Sequence, residues 1–295
     1  MYKGIFTPIV TSFDSSEQID YVAVKHNLDR WGETALDGIV VLGSNGEFVY
    51  LNNKEKLELV SFVVNNFTKD KRIIVGTSCE STKETITLSN LVADIGADAI
   101  LLLPPNYYKS GMTDEVLYKY FTEVAENSNL PVMLYNMPGN TGINLSAALI
   151  AKLAKHPNIV GIKDTSGNIV QIAEIVRDTD DDFAVFAGNA SYLLPALAVG
   201  ARGATLALAN IMPEECCKLV SLFKEGKMGE AKALQLKMIA INNAVTGRFG
   251  IPGLKYALDL LGYIGGVPRR PLIPLADTNK KIINDLLLQY GAIND

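Results

Sequence analysis

Histidine is scarce in this chain. His26 and His156 are the only two in 295 residues, which leaves little material for a histidine-rich metal site or a histidine-based triad. Cysteine is nearly as scarce: Cys79, Cys216 and Cys217 make an odd count with no CxxC pair. A disulfide framework is therefore not expected, and a reducing, cytoplasmic setting is. Basic runs are missing and the formal net charge is −5, which argues against nucleic acid or an anionic membrane as partner. The first residues enter strand-like sequence without a basic region and apolar core, so no export signal is expected. The apolar stretch from Tyr192 to Met212 is interrupted by Pro195 and Arg202, so helix, turn and strand are expected there instead of a membrane span.

What is present is apolar and periodic. The chain is 48% hydrophobic and 20% charged, as suits a folded protein with much buried parallel sheet. Runs of strand character recur at Gly4–Val10, Gly38–Leu42, Arg72–Gly76, Ala99–Leu103, Val132–Tyr135, Ile159–Lys163, Phe183–Ala187 and Ala204–Leu208. Stretches of helical period lie between them, among them 21–31, 54–66, 82–95, 114–126, 146–155, 170–177 and 191–199. Ser81-Thr82-Lys83-Glu84 has capping-box spacing, and Thr113 ahead of Asp114-Glu115 reads as a helix N-cap. Alternation of this kind predicts right-handed crossovers and closure into a (β/α)₈ TIM barrel. An open doubly wound sheet is the runner-up, weakened because no GxGxxG turn follows the first strand. Further helical segments at 214–224, 227–244, 253–261 and 280–290 predict a C-terminal helical extension. The expected division is a catalytic barrel over residues 1–225 and an extension over 226–295 packed on it.

In such a barrel the reacting groups collect where strands end. Ile159–Lys163 delivers a lysine to its own exit, just before Asp164-Thr165-Ser166-Gly167. Its apolar neighbours imply burial, and a buried ammonium is costly unless paired or deprotonated. By position alone Lys163 is either a nucleophile or a strand-end lysine that snorkels to solvent. The other exits bear on that choice. Gly43-Ser44-Asn45-Gly46-Glu47 offers backbone N–H groups beside a hydroxyl and an amide, a turn able to hold a carboxylate; Glu47 stands where a P-loop would need Lys-Ser/Thr. Tyr107 and Tyr108 follow the fourth run, and Tyr135 ends the fifth ahead of Met137-Pro138-Gly139-Asn140. Each tyrosine alone reads as loop packing or as a proton carrier. Gly188 after the seventh run, and Thr205 and Leu206 at the eighth, leave room for a ligand beside Lys163. A neutral lysine, hydroxyls and an anion-binding turn are the parts of Schiff-base chemistry on a 2-oxo acid, with no metal or organic cofactor. Cys79 is the competing nucleophile, but no histidine near a strand exit is placed to activate it.

Over nearly its whole length the chain resembles the dihydrodipicolinate synthase / N-acetylneuraminate lyase family of pyruvate-dependent class I aldolases, through Gly43-Ser44-Asn45-Gly46-Glu47 and through Tyr135 to Lys163-Asp164-Thr165-Ser166-Gly167. The resemblance implies a barrel with C-terminal helices and a homotetramer built as a dimer of dimers. It implies that Lys163 forms the imine with pyruvate, that Tyr135 is the general acid/base, and that Ser44 with Tyr107 completes a proton relay. Ser44 and Asn45 would hold the carboxylate, and the tyrosine matched by Tyr107 would reach a neighbouring subunit's site.

Departures within the family bear on the reaction. Dihydrodipicolinate synthases carry an arginine where this chain has Asn140, and Thr-Thr where it has Ser44-Asn45; an amide cannot supply a bidentate cationic fork. Gly43–Phe48, Ser78–Thr82, Asn243–Thr246 and Arg248–Lys255 are similar instead to 4-hydroxy-2-oxoglutarate aldolases. The expectation is an aldolase that cleaves or forms a 4-hydroxy-2-oxo acid, best 4-hydroxy-2-oxoglutarate to pyruvate and glyoxylate. Alternatives are 4-hydroxy-tetrahydrodipicolinate synthase, a 2-dehydro-3-deoxy sugar-acid aldolase and, from another class, a 2-oxo acid sensor without turnover.

Overall fold

Runs of Ile, Val, Leu and Ala without polar alternation suit strands covered on both faces. All eight become strands in the computed structural model, which describes residues 2–294. They are β1 (Gly4–Pro8), β2 (Gly38–Val41), β3 (Arg72–Gly76), β4 (Ala99–Leu102), β5 (Val132–Asn136), β6 (Ile159–Asp164), β7 (Ala184–Ala187) and β8 (Gly203–Thr205). Each pairs in parallel with its successor, and β8 returns to β1 through Gly4↔Gly203 and Phe6↔Thr205. That closure makes a TIM barrel and excludes the open doubly wound sheet.

The helices are α1 (Tyr21–Gly32), α2 (Asn53–Asn66), α3 (Thr82–Ile95), α4 (Asp114–Asn127), α5 (Pro138–Thr141), α6 (Ala147–Leu153), α7 (Ile169–Asp178), α8 (Leu193–Ala198), α9 (Pro213–Lys224), α10 (Met228–Asn243), α11 (Gly250–Leu260) and α12 (Asp277–Tyr290). Thr113 caps α4 by accepting from Val116 N–H at 3.4 Å. Ser81 caps α3 by accepting from Glu84 N–H at 3.2 Å, but Glu84 does not reach back, because its carboxylate accepts from Asn53 Nδ2. A complete capping box forms instead at α2, where Asn52 and Glu55 each accept from the other's backbone N–H.

Alternation along the strands sorts the side chains into two layers. Phe6, Val40, Ile74, Leu101, Met133 and Phe186 fill the barrel, while Ile5, Ile39, Val75, Leu102 and Val185 join the larger cluster beneath the helices. The register sets Tyr135 opposite Lys163 and Lys163 opposite Phe186. Lys163 therefore falls on the inner face, at the end where its strand leaves the barrel.

Two details differ from the sequence reading. β8 stops at Thr205, and the apolar residues after it turn into a 3₁₀ segment, Ala207–Asn210, whose Asn210 Nδ2 donates to the carbonyls of Pro8 and Ala207 at 3.0 Å each. Between α10 and α11 the chain makes a π-helical turn, Ala244–Arg248. Such turns recur at functional sites, and this one leads residues 245–251 over the mouth of the barrel. No helix among the described residues is long and apolar enough to cross a membrane.

Candidate active site

The ends of β2, β5, β6 and β7 and the π-helical turn enclose a cavity of about 400 Å³. Ser44, Asn45, Tyr135, Asn140, Lys163 and Gly188 all line it, together with Met137, Thr165, Asn189, Val245, Thr246 and Ile251. Among the lining residues only Lys163 carries a charge. The structure thus brings together six of the residues picked out from sequence.

Lys163 is 4% exposed, and its Nζ lies over the Tyr135 ring at 4.0 Å from the centroid. No carboxylate stands within ion-pairing distance of it among the described residues. It does not snorkel. Tyr135 is equally buried, and its hydroxyl donates to Met137 Sδ at 2.7 Å, while Ser44 Oγ approaches the same sulfur at 3.6 Å. Met137 therefore sits between the two hydroxyls. Nothing in the local sequence singles it out, since a methionine beside Pro-Gly reads as loop packing.

Behind Lys163 the next residue along the strand is anchored from several sides. Asp164 is fully buried, and its carboxylate accepts from Asn136 Nδ2 at 2.8 Å, Gln171 Nε2 at 3.0 Å and Ser166 N–H at 2.9 Å. Its carbonyl accepts from Tyr192 OH at 2.8 Å and from Gly188 N–H at 2.7 Å. Burial pushes the Tyr192 phenol up, which keeps that donor protonated. A Cβ on Gly188 would meet Thr165 Oγ1 at 2.4 Å and the Asp164 carbonyl at 2.7 Å, so only glycine fits there.

Across the cavity Ser44, Asn45 and Gly46 form one 3₁₀ turn, with Gly46 N–H donating to Gly43 O at 2.9 Å and Thr11 Oγ1 to Gly46 O at 2.7 Å. Leu42 and Glu47, one at each side of this turn, both hold left-handed backbone, with φ of 57° and 56°. Non-glycine residues adopt that conformation at a cost and only when their surroundings enforce it.

The remaining picks lie elsewhere. Thr205 and Leu206 are buried in the barrel wall and do not border the cavity. Thr205 Oγ1 has no hydrogen-bond partner among the described residues. Tyr107 is 76% exposed and stacks edge-on against Tyr108, outside the cavity of its own chain. Glu80 fixes this loop by accepting from the N–H groups of Asn106 and Tyr107, each at 3.0 Å. Cys79 is half-buried, and burial followed by the nearby Glu84 pushes its thiol up, away from the nucleophilic thiolate. Among the described residues no group of three His, Cys, Asp or Glu side chains is arranged to hold a metal.

Comparison with known proteins gives concordant matches. The sequence pattern of the Dihydrodipicolinate synthetase family matches residues 1–290. The 4-hydroxy-tetrahydrodipicolinate synthase of Oceanobacillus iheyensis is 34% identical over 289 residues, covering 98% of this chain and 97% of that protein. The Geotalea uraniireducens enzyme of the same name is 37% identical over 293 residues, covering 99% and 100%. Among solved structures, a dihydrodipicolinate synthase from Bacillus anthracis superposes with a TM-score of 0.94 at 30% identity, over 100% of this chain and 99% of that one. YagE, a prophage protein of the same family from E. coli crystallised with pyruvate, gives 0.94 at 29% identity over 99% and 100%.

Proposed function

This chain belongs to the dihydrodipicolinate synthetase family and is a lyase of the pyruvate-dependent class I aldolase type, and from that premise we propose that Lys163 forms an imine with pyruvate at the mouth of the barrel. The observation that carries this is the setting of Lys163: buried, without an anionic partner among the described residues, against Tyr135 and across a small cavity from the Ser44-Asn45 turn. Nζ attacks C2 of the 2-oxo acid, the carbinolamine loses water, and removal of a C3 proton gives the enamine that meets an aldehyde, or is left when one departs. Tyr135 carries these protons, with Ser44 as relay. Ser44 and Asn45 hold the carboxylate by hydroxyl, amide and turn N–H groups. Gly188 shapes the space around the methyl carbon, and Asn140 faces the incoming aldehyde. The covalent imine needs no metal or organic cofactor.

Tyr107 enters the same proposal through assembly. Its ring points into solvent beside Tyr108, on a loop pinned by Glu80. A second copy of the chain that covers this pair receives Tyr107 as the far member of its own relay. A homotetramer built from such dimers, working in the cytoplasm, is the assembly we propose. Within it residues 1–225 are the catalytic barrel and 226–295 the helical extension packed on it.

For the aldehyde partner the relatives' activity supports 4-hydroxy-tetrahydrodipicolinate synthase, with aspartate semialdehyde as acceptor. On that support the synthase is our main reading, ahead of the 4-hydroxy-2-oxoglutarate cleavage expected from sequence. One feature of the cavity favours the second reading: Asn140 and the other lining residues offer no guanidinium to grip the acceptor's carboxylate. Borohydride reduction with pyruvate, followed by peptide mapping, is expected to place the adduct on Lys163. No adduct there sinks the imine. Turnover of aspartate semialdehyde, 4-hydroxy-2-oxoglutarate and 2-dehydro-3-deoxy sugar acids then ranks the partners, and turnover of none of them identifies a sensor.

A further inference from the structure

The Ser44-Asn45 turn is followed by a charged residue that solvent does not reach. Glu47 and Lys255 are each 1% exposed, and Glu47 Oε1 faces Lys255 Nζ at 2.6 Å. The pair joins distant parts of the chain. Glu47 ends the turn after β2, and Lys255 lies in the middle of α11, whose first residues, Gly250 and Ile251, line the cavity. Both partners are tied further. Glu47 Oε2 accepts from Arg269 N–H at 2.8 Å, and Lys255 Nζ donates to Val267 O at 2.7 Å. The Lys255 ammonium and the Arg269 guanidinium both lie against the Phe13 ring, at 4.6 Å and 4.3 Å. Arg269 in turn donates to both carboxylate oxygens of Glu55, at 2.7 Å and 3.0 Å.

A buried pair of this kind is a poor source of stability, because desolvating two charges offsets their attraction. Its geometry indicates another use. Glu47 sits in left-handed backbone, a conformation that needs enforcement, and its side chain is clamped by groups from the C-terminal part of the chain. Released, the residue relaxes toward ordinary backbone and carries Ser44 and Asn45 with it.

We propose that Glu47 and Lys255 are positioning residues that hold the Ser44-Asn45 turn at the height where it meets the substrate carboxylate, so that the C-terminal helices set affinity for the 2-oxo acid. Neither touches the cavity. The inference rests on the reading of Ser44 and Asn45 as carboxylate binders.

The test compares Glu47→Gln/Lys255→Met, which removes both charges, with Glu47→Asp, which keeps the charge on a shorter arm and a residue that tolerates left-handed backbone. Both are measured beside Asn45→Ala by thermal unfolding, by KM for pyruvate and kcat, and by borohydride trapping. The expected result is a folded double variant whose KM for pyruvate rises about 10-fold or more while kcat changes less than about 3-fold and Lys163 is still trapped at saturating pyruvate. Glu47→Asp is expected to stay folded and to raise KM about 3-fold, and it decides the matter should the double variant not fold. Wild-type KM in a folded double variant or in Glu47→Asp, with KM raised in Asn45→Ala, overturns the positioning role and leaves the imine chemistry standing. An unchanged KM in Asn45→Ala overturns the carboxylate reading and the inference with it.

Discussion

The two walls of the cavity are held by different means. The wall that carries Lys163 and Tyr135 is part of the barrel: its register is set by β5–β6–β7 pairing, and the strand end is fixed by Asp164, Asn136, Gln171 and Tyr192. The opposite wall, Ser44 to Glu47, is strained at both edges and depends on Lys255 and Arg269, the latter bonded to Glu47 from 222 residues away. One wall places the reacting atoms to the tolerance of a sheet. The other, which we propose binds the carboxylate, takes its position from α11 and the segment that follows it, both added after the eighth strand. A defect in the first is expected to cost chemistry, and a defect in the second to cost affinity.

The largest effect that could break this division is at Tyr135. Tyr135→Phe keeps the ring over Lys163 and the packing but removes the proton, and general acid/base groups are worth about 10²–10⁴ in rate. The expected outcome is a loss of that order in kcat with KM for pyruvate changed only a few-fold. Equal losses in binding and turnover, read from steady-state kinetics beside the trapping yield, would show that the tyrosine belongs to both walls.

Asp164 comes next and tests the support rather than the reacting groups. Asp164→Ala leaves Asn136 Nδ2, Gln171 Nε2 and Ser166 N–H without their buried acceptor. Losing bonds to a buried carboxylate is expected to lower stability by about 3 kcal/mol. Denaturant unfolding measures that loss, and in the folded fraction kcat is expected to fall more than KM for pyruvate rises. That ratio is the opposite of the one expected for Glu47 and Lys255, and the same ratio in both variants would erase the distinction between the walls.

These contrasts explain what could be read from the sequence. All eight strands were legible because a strand buried on both faces is an unbroken apolar run. The proposed nucleophile could be picked out because a lysine stands out at the end of such a run. Tyr135 and the Ser44-Asn45 turn were legible as polar groups at strand exits. The supports were not. Asp164 reads as a loop aspartate until Asn136 and Gln171 are known to converge on it, and Glu47 reads as a turn residue until α11 is folded over it. Pairings between residues far apart in the chain carry no local period. The end of β8 was overrun for a related reason: Leu206 to Leu208 are as apolar as a strand, but Asn210 folds the chain back onto β1. The choice of aldehyde partner also falls outside local pattern, since it turns on cavity residues such as Asn140 whose alternatives all fit a loop.

The smallest effect concerns the outermost tie of the binding wall and separates it from the barrel by pH. The Arg269 guanidinium beside Glu55 holds that carboxyl below its ordinary value of 4.5. A carboxyl whose folded pKa is depressed binds fewer protons than the unfolded chain just below its ordinary value, so stability falls as the pH drops from 4.5 through the folded pKa. Above 4.5 the contribution is fully present. In Arg269→Met the largest cause of the depression is gone while the Asn52 N–H bond to Glu55 remains, and denaturant unfolding across this acid window is expected to show a shallower dependence on pH than the parent protein. The difference is below about 1 kcal/mol once screening of this partly exposed carboxylate is counted. Arg269→Met also removes bonds to Glu17 O and Tyr50 O, but those donors meet carbonyls that do not titrate and so lower the curve without tilting it. An unaltered slope would mean that Arg269 supports the binding wall through those carbonyls and through Glu47, with Glu55 a bystander.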